Sequence, residues 1–144
     1  MNIVIDANIT VALFVNLPYS SHAEQLFRLW RAQDVNLYAP ALWPAEVVSA
    51  LRKMVSVGQM GSDDARLALA SLERLPIQVV LPDSNLLDQS LVWANRLNQT
   101  VAYDAQYVAL AENLSAQFWT ADQRLLNALQ HLNIQWAHWV EGLN

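Results

Sequence analysis

Apolar positions arrive along this chain in two alternating rhythms, short continuous runs and helical repeats. Ile3-Val4-Ile5 is a brief unbroken run of the kind that forms a buried strand, and Ile9-Thr10-Val11-Ala12-Leu13-Phe14-Val15 predicts a helix beneath a sheet, stopped before Pro18. Ser21 and Glu24 stand in a capping-box pattern, and Ala23, Leu26, Phe27 and Trp30 recur on one helical face. Asn36-Leu37-Tyr38-Ala39, closed by Pro40, predicts a second strand. Pro44 suits the first turn of a helix running through Val47, Val48, Leu51, Met54 and Val55 to Gly58, with Glu46 in that first turn. Ser62 with Asp63 and Asp64 opens another helix, where anionic side chains complement the positive end of the helix dipole.

The same alternation continues to the end. Ile77-Gln78-Val79-Val80-Leu81, between Pro76 and Pro82, predicts a third strand, and a helix from about Ser84 to Asn98 is expected to turn Leu87, Leu91, Ala94 and Leu97 inward. A helix from about Ala102 to Leu114 precedes a fourth strand, Gln117-Phe118-Trp119-Thr120. Leu125, Leu126, Leu129 and Leu132 pattern the last helix, and Ile134-Gln135-Trp136 is expected to add an edge strand. Strands alternating with helices require crossover connections. The expected fold is therefore α/β, one domain over residues 1–144, with a central mostly parallel sheet of four or five short strands and helices on both faces. In such sheets ligands bind beyond the carboxyl ends of the strands, where strand order reverses.

Composition narrows the chemistry. At 144 residues and 54% hydrophobic content the chain can bury a substantial core unaided, and with no cysteine it has neither disulfides nor thiolate metal sites. No basic leader and no membrane-length apolar segment stand out, so a soluble cytoplasmic protein with no membrane partner is expected. The net charge of −5 argues against broad nucleic-acid binding until the acids are sorted.

Four of them sit in apolar surroundings. Asp6 closes the first strand, Glu46 follows Trp43-Pro44-Ala45, Asp104 lies in Ala102-Tyr103-Asp104-Ala105, and Asp122 follows Phe118-Trp119-Thr120-Ala121. Setting these aside leaves nine acidic against eight basic residues, a nearly neutral surface. Carboxylates gathered in such settings lose hydration and repel one another unless a cation lies between them. Their hard oxygens suit Mg²⁺ or Mn²⁺. A lone Asp after a strand, however, is more often a helix cap than a ligand.

Four ordered segments carry a resemblance. Ile3-Val4-Ile5-Asp6-Ala7-Asn8, Leu42-Trp43-Pro44-Ala45-Glu46-Val47, Ala102-Tyr103-Asp104-Ala105-Gln106-Tyr107-Val108-Ala109-Leu110-Ala111-Glu112 and Trp119-Thr120-Ala121-Asp122 together resemble the PIN-domain family, most closely its VapC-type ribonucleases of bacterial toxin–antitoxin pairs. The resemblance spans nearly the whole chain. It implies an Mg²⁺- or Mn²⁺-dependent endoribonuclease that leaves a 5′-phosphate and a 3′-hydroxyl, with an RNA substrate, an antitoxin protein and a homodimer as expected partners. Asp6, Asp104 and Asp122 would hold metal, with Glu46 reaching it directly or through water, and these four are the expected catalytic residues. Asn8 and Thr120 are expected to orient the acids or metal-bound water, against the bland reading of local turn bonding.

Rival readings remain open at this point. A PIN nuclease of RNA maturation or decay needs no antitoxin, and a catalytically silent RNA- or protein-binding module would not need all four acids. A haloacid-dehalogenase phosphatase would want an acid where Asn8 stands. Trp30, Trp93 and Trp119 fit core packing better than base stacking, Trp136 and Trp139 suit a sheet edge or a partner, and Glu112 is expected on a solvated helix face. His22, His131 and His138 lack metal-ligand spacing. Arg52, Lys53 and Arg124, near the acids in sequence, suit phosphate contact or plain surface charge equally. Leu29 and Trp30 are expected to offer a partner helix an apolar groove.

Overall fold

The computed structural model describes residues 1–143. Five short apolar runs form one sheet: β1 (Asn2–Ile5), β2 (Asn36–Pro40), β3 (Ile77–Val80), β4 (Gln117–Thr120) and β5 (Ala137–Trp139), in the order β3-β2-β1-β4-β5. Every pairing between them is parallel. The chain steps outward from β1 to β2 and β3, then returns to place β4 on β1's other side, so strand order reverses at the β1–β4 seam.

Alternation along each strand divides the core. Val4 joins Ala39, Phe118 and Ala137 on one face, while Ile3 and Ile5 join Leu37, Trp119 and Val140 on the other. The first face is covered by α3 (Trp43–Ser56), α4 (Ser62–Leu72), α5 (Ser84–Arg96), α6 (Tyr103–Asn113) and α7 (Gln123–His131), and the second by α2 (Ser20–Ala32). The short α1 (Ala7–Val11) straddles the edge, sending Ala7 and Val11 to one core and Ile9 to the other. Helix α6 buries Ala105 and every residue from Tyr107 through Ala111, more than one full turn, as a helix inserted under a sheet must. The α/β class with helices on both faces is borne out.

Several local expectations are corrected. Helix α1 ends at Val11 rather than Val15, because the N–H groups of Leu13 and Phe14 bond three residues back, to Thr10 and Val11, tightening the chain into turns. The Ser21–Glu24 capping box does not form. Helix α2 begins at Ser20, whose hydroxyl accepts from the Leu17 N–H and donates to the Val15 carbonyl at 2.9 Å each, so Ser21 already lies inside the helix. The edge strand runs from Ala137, not over 134–136. Asn133 takes a left-handed φ of 59° and Ile134 bonds back to Leu129, so these residues finish the preceding helix instead of pairing.

Helix α5 is rotated from its expected face in its first half, while Ala94 is buried and Leu97 packs on the core as expected. Leu87 and Leu91 are 51% and 68% exposed, and Leu86, Ser90, Trp93 and Ala94 face inward. Two apolar stripes lie one residue apart on this helix, and the choice is made by its packing on α6. Trp93 donates its indole N–H to the Glu112 carboxylate at 2.8 Å, and Arg96 lies 3.9 Å over the Trp93 ring. Glu112 thus anchors a tryptophan rather than only facing solvent. Trp30, Trp93 and Trp119 are all core residues.

The rotated face gives a direct test. Leu86→Ala should destabilise the protein by about 2–5 kcal/mol, as buried leucine truncations do. Leu91→Ala, compared with wild type as monomers at low protein concentration, should stay within about 0.5 kcal/mol. Urea denaturation of both variants checks it, and equal losses would contradict the observed orientation of α5.

Candidate functional site

The four acids reach the carboxyl edge of the sheet by two routes. Asp6 directly follows β1 and Asp122 follows β4 after Ala121, and the two serve as N-caps of α1 and α7. Glu46 and Asp104 occupy the first turns of α3 and α6. The cap reading of the two aspartates is therefore correct as far as it goes, and it does not compete with a site: a cap after a strand is what puts a carboxylate at the sheet's rim.

Asp6 is held across the seam. Its Oδ2 accepts from the Thr120 hydroxyl at 2.7 Å and its Oδ1 from the Asn8 N–H at 3.3 Å, while its own N–H donates to the Trp119 carbonyl. Thr120 is fully buried, and its oxygen also accepts from the Asp122 N–H at 3.0 Å, so one hydroxyl ties both aspartates together. Asn8 acts here through its backbone; its side chain is exposed.

The other acids are each gripped through one oxygen. Tyr107 donates to Glu46 Oε1 at 2.7 Å, Gln99 Nε2 donates to Asp104 Oδ2 at 3.0 Å, and the N–H groups of Arg124 and Leu125 converge on Asp122 Oδ1. Sequence reasoning missed Tyr107 and Gln99. Tyr107 lies one helical turn after Asp104, where it reads as another apolar core position, and Gln99 carries no pattern at all. Thr10, also fully buried, donates to the Ala7 carbonyl and accepts from the Trp43 indole N–H at 3.1 Å, fastening the start of α3 to α1.

The acids feel one another. Burial raises Asp6 to about 6, against the lowering effect of its bonds from Thr120 and Asn8, and the charges of Asp104 and Asp122 push the same way. Glu46 and Asp104 are raised as well, again by burial first and then by neighbouring carboxylates. Tyr19, in the loop before α2, is pushed up to about 12 by burial and by the charge of Asp6. Tyr107 is raised by burial and by the charges of Asp6 and Glu46, so it stays a hydrogen-bond donor at neutral pH. No three acidic or histidine side chains among the described residues stand close enough to grip one ion together. The donor set nevertheless fits a hard divalent cation: clustered carboxylates, of which Asp6, Glu46 and Asp104 are raised by desolvation and neighbouring negative charge that a cation would offset.

Comparison with known proteins places these residues in context. A PIN-domain family profile matches residues 4–136. The chain is 37% identical over 123 residues to the VapC ribonuclease Mb0985 of Mycobacterium bovis, covering 85% of this chain and 87% of that protein. Its fold is similar to that of PAE2754 from Pyrobaculum aerophilum, with a TM-score of 0.71 at 23% identity over 99% of this chain and 92% of that one. It is also similar to VapBC2 from Rickettsia felis, solved with a DNA fragment from its promoter, with a TM-score of 0.68 at 10% identity over 96% of this chain and 98% of that one.

The raised acids set a pH dependence of stability. Asp6 titrates near 6 when folded and near 3.8 otherwise, so between those values the folded state holds more protons. Stability in chelator should therefore fall as pH rises through that window, and the unfavourable contribution is fully present above it. Asp6→Asn should flatten this slope and raise the melting temperature at pH 7. Calorimetry in EDTA from about pH 4.5 to 7.5, across most of that window, checks both; a lowered melting temperature for the variant would mean that Asp6 is held as a structural anion.

Proposed function

The chain belongs to the PIN-domain family, and on that premise we propose that it is a cytoplasmic endoribonuclease using Mg²⁺ or Mn²⁺, the toxin of a type II toxin–antitoxin pair. The observation that carries this reading is the one-sided grip on Glu46, Asp104 and Asp122. Each is fixed through one oxygen while the other accepts no hydrogen bond from the described residues. Asp6, Asp104 and Asp122 would hold the ion partly through its water ligands, as Mg²⁺ keeps several, since no three acids among the described residues stand close enough to grip it directly, and Glu46 would reach it directly or through water. When bound, the ion would lower the pKa of a coordinated water and offset charge on the scissile phosphate.

The chain's own residues supply orientation. Thr120 fixes the rotamer of Asp6 and spaces it from Asp122. Tyr107 aims Glu46 from the buried face of α6, and Gln99 holds Asp104 from the end of α5. No histidine, serine or cysteine nucleophile is required.

The toxin assignment draws support from the likeness to a VapC ribonuclease over most of both chains. An antitoxin segment would carry an arginine or lysine toward Asp6 and Asp104, offsetting the same charge as the metal. Its body has a candidate seat beside α2, where a cavity of about 740 Å³ is lined by Phe27, Trp30, Leu37 and Leu75 among others. Trp30 itself is only 2% exposed, so it forms the floor of that groove rather than an anchor. A homodimer is also proposed, supported by the apolar stripe left open on α5.

Mn²⁺-supported digestion of total RNA tests the catalytic reading. Wild type should release fragments with 5′-phosphates and 3′-hydroxyls, and Asp6→Asn and Asp104→Asn should fall to background while remaining folded. Thr120→Val and Tyr107→Phe should lose roughly 10–100-fold, the usual cost of removing a residue that orients a ligand. Undiminished cleavage by Asp6→Asn would sink the assignment. Light scattering at micromolar concentration should report twice the monomer mass, and a strictly monomeric protein would remove the dimer from the proposal.

A further inference from the structure

The eight basic residues of the chain are not spread evenly about the fold, and sorting them gives the acidic rim a direction. Arg28, Arg31 and Arg74 line the groove on the α2 face. Arg96 lies over Trp93, and Arg52 and Arg66 border a shallow apolar groove of about 260 Å³ between α3 and α4. Lys53 and Arg124 are the two that remain, and the fold sets them at opposite ends of the acids.

The acids stand in a row. Strand order places β1 between β2 and β4, so Glu46, on the helix that follows β2, and Asp122, after β4, lie to either side of Asp6. Mutual charge agrees with this order, since Glu46 is raised by Asp6 and Asp104, and Asp6 by Asp104 and Asp122. With neighbouring strands about 4.8 Å apart, the row crosses roughly 10 Å of the rim. Helix α3 packs chiefly on α1 and α4 rather than across the sheet, so it stands as a wall at the β2 end of that row. Ala50 and Lys53 follow Glu46 on its own stripe of the helix, whereas Val48 and Arg52 turn to the groove with α4. Lys53 is exposed about 10 Å along α3 from Glu46. Arg124 is exposed at the other end, in the first turn of α7, beside Asp104 and Asp122. The perpendicular axis, from one face of the sheet to the other, brings no lysine or arginine to the rim: α2 opens with Ser20, Ser21 and His22, and α6 with Tyr103 and Asp104.

We propose that a single-stranded RNA crosses the rim along the strand order, from α3 to α7, with Lys53 on a phosphate to one side of the scissile bond and Arg124 on a phosphate to the other. The proposal rests on the ribonuclease reading and gives its substrate a path. A polyanion laid over a row of carboxylates is repelled by them, so cations beyond both ends of the row are what hold the flanking phosphates in place. Such contacts fix register and orientation and carry no sequence information. Arg52, although next to Lys53 in sequence, takes no part, because one step along a helix turns a side chain to another side.

A short single-stranded RNA spanning a mapped cleavage site, made with a neutral methylphosphonate at one phosphate at a time, tests the path by steady-state kinetics in Mn²⁺. Lys53→Ala and Arg124→Ala should each raise KM roughly three- to tenfold with kcat within about twofold, and each should lower the salt slope of substrate binding by about one. Lys53→Arg should keep the wild-type KM, and Arg52→Ala should change neither quantity. For wild type, a methylphosphonate on either side of the scissile bond should raise KM; the penalty on one side should vanish in Lys53→Ala, and the penalty on the other side in Arg124→Ala. Penalties that vanish on the same side for both variants or persist in either, equal KM values for Lys53→Ala and Arg52→Ala, or an unchanged KM for Arg124→Ala would each overturn the path and leave the nuclease reading standing. A wild type that cuts no RNA defeats that reading, and the path with it.

Discussion

The buried hydroxyl of Thr120 is the point on which the site turns. It donates to Asp6 and accepts from the Asp122 backbone, joining the ends of β1 and β4 where strand order reverses. Strand pairing sets the register, with Ile5 opposite Trp119, and the next residue on β1's side is Asp6, whose N–H continues the ladder to the Trp119 carbonyl. A slip of one residue would turn Thr120 to the opposite face and leave Asp6 without its donor. The same register that buries Ile3 and Ile5 beneath α2 therefore also places the carboxylate.

Around that seam the protein accepts an electrostatic penalty. Burial dominates the rise of Asp6, Glu46 and Asp104, and neighbouring negative charge adds to it. Hydrogen bonds from Thr120, Tyr107 and Gln99 lower the penalty but do not remove it, because each donor offsets only part of the lost hydration. What remains is a cluster that gains from any bound cation. That residual repulsion links the fold to the proposed metal-dependent chemistry.

Helix α6 supplies the rigidity. Packed below the strands and buried from Tyr107 through Ala111, it carries Asp104 at its exposed start, Tyr107 one turn further in, and Glu112 toward its close, where it fixes Trp93 of α5. The turn that closes α5, where the Gln99 N–H bonds back to Ala94, in turn carries Gln99 to Asp104. A change at the Trp93–Glu112 contact would therefore reach the site through packing alone.

Much of this was legible in the chain itself. Runs such as Ile3-Val4-Ile5 and Gln117-Phe118-Trp119-Thr120 marked their strands because burial on both faces demands unbroken apolar sequence, and acids stranded among apolar neighbours marked the site because desolvated charge is rare without a purpose. The PIN likeness followed from the same four segments. The Ser21–Glu24 pattern, the extent of α1, the face of α5 and the start of β5 were not legible. In each case local sequence permitted two answers a residue or a turn apart; contacts between distant segments chose for α5, through Trp93 with Glu112, and for β5, through the Phe118–Trp136 bond ahead of it, whereas short-range bonds chose for α1 and α2, through the turns at Leu13 and Phe14 and the Ser20 hydroxyl on the Val15–Leu17 loop. Sequence determined which residues carry charge into apolar surroundings, since that is a property of neighbours along the chain. Only the tertiary structure decided which donors meet them, because Thr120 and Asp6, or Tyr107 and Glu46, stand far apart in sequence and come together through parallel crossovers that no local pattern encodes.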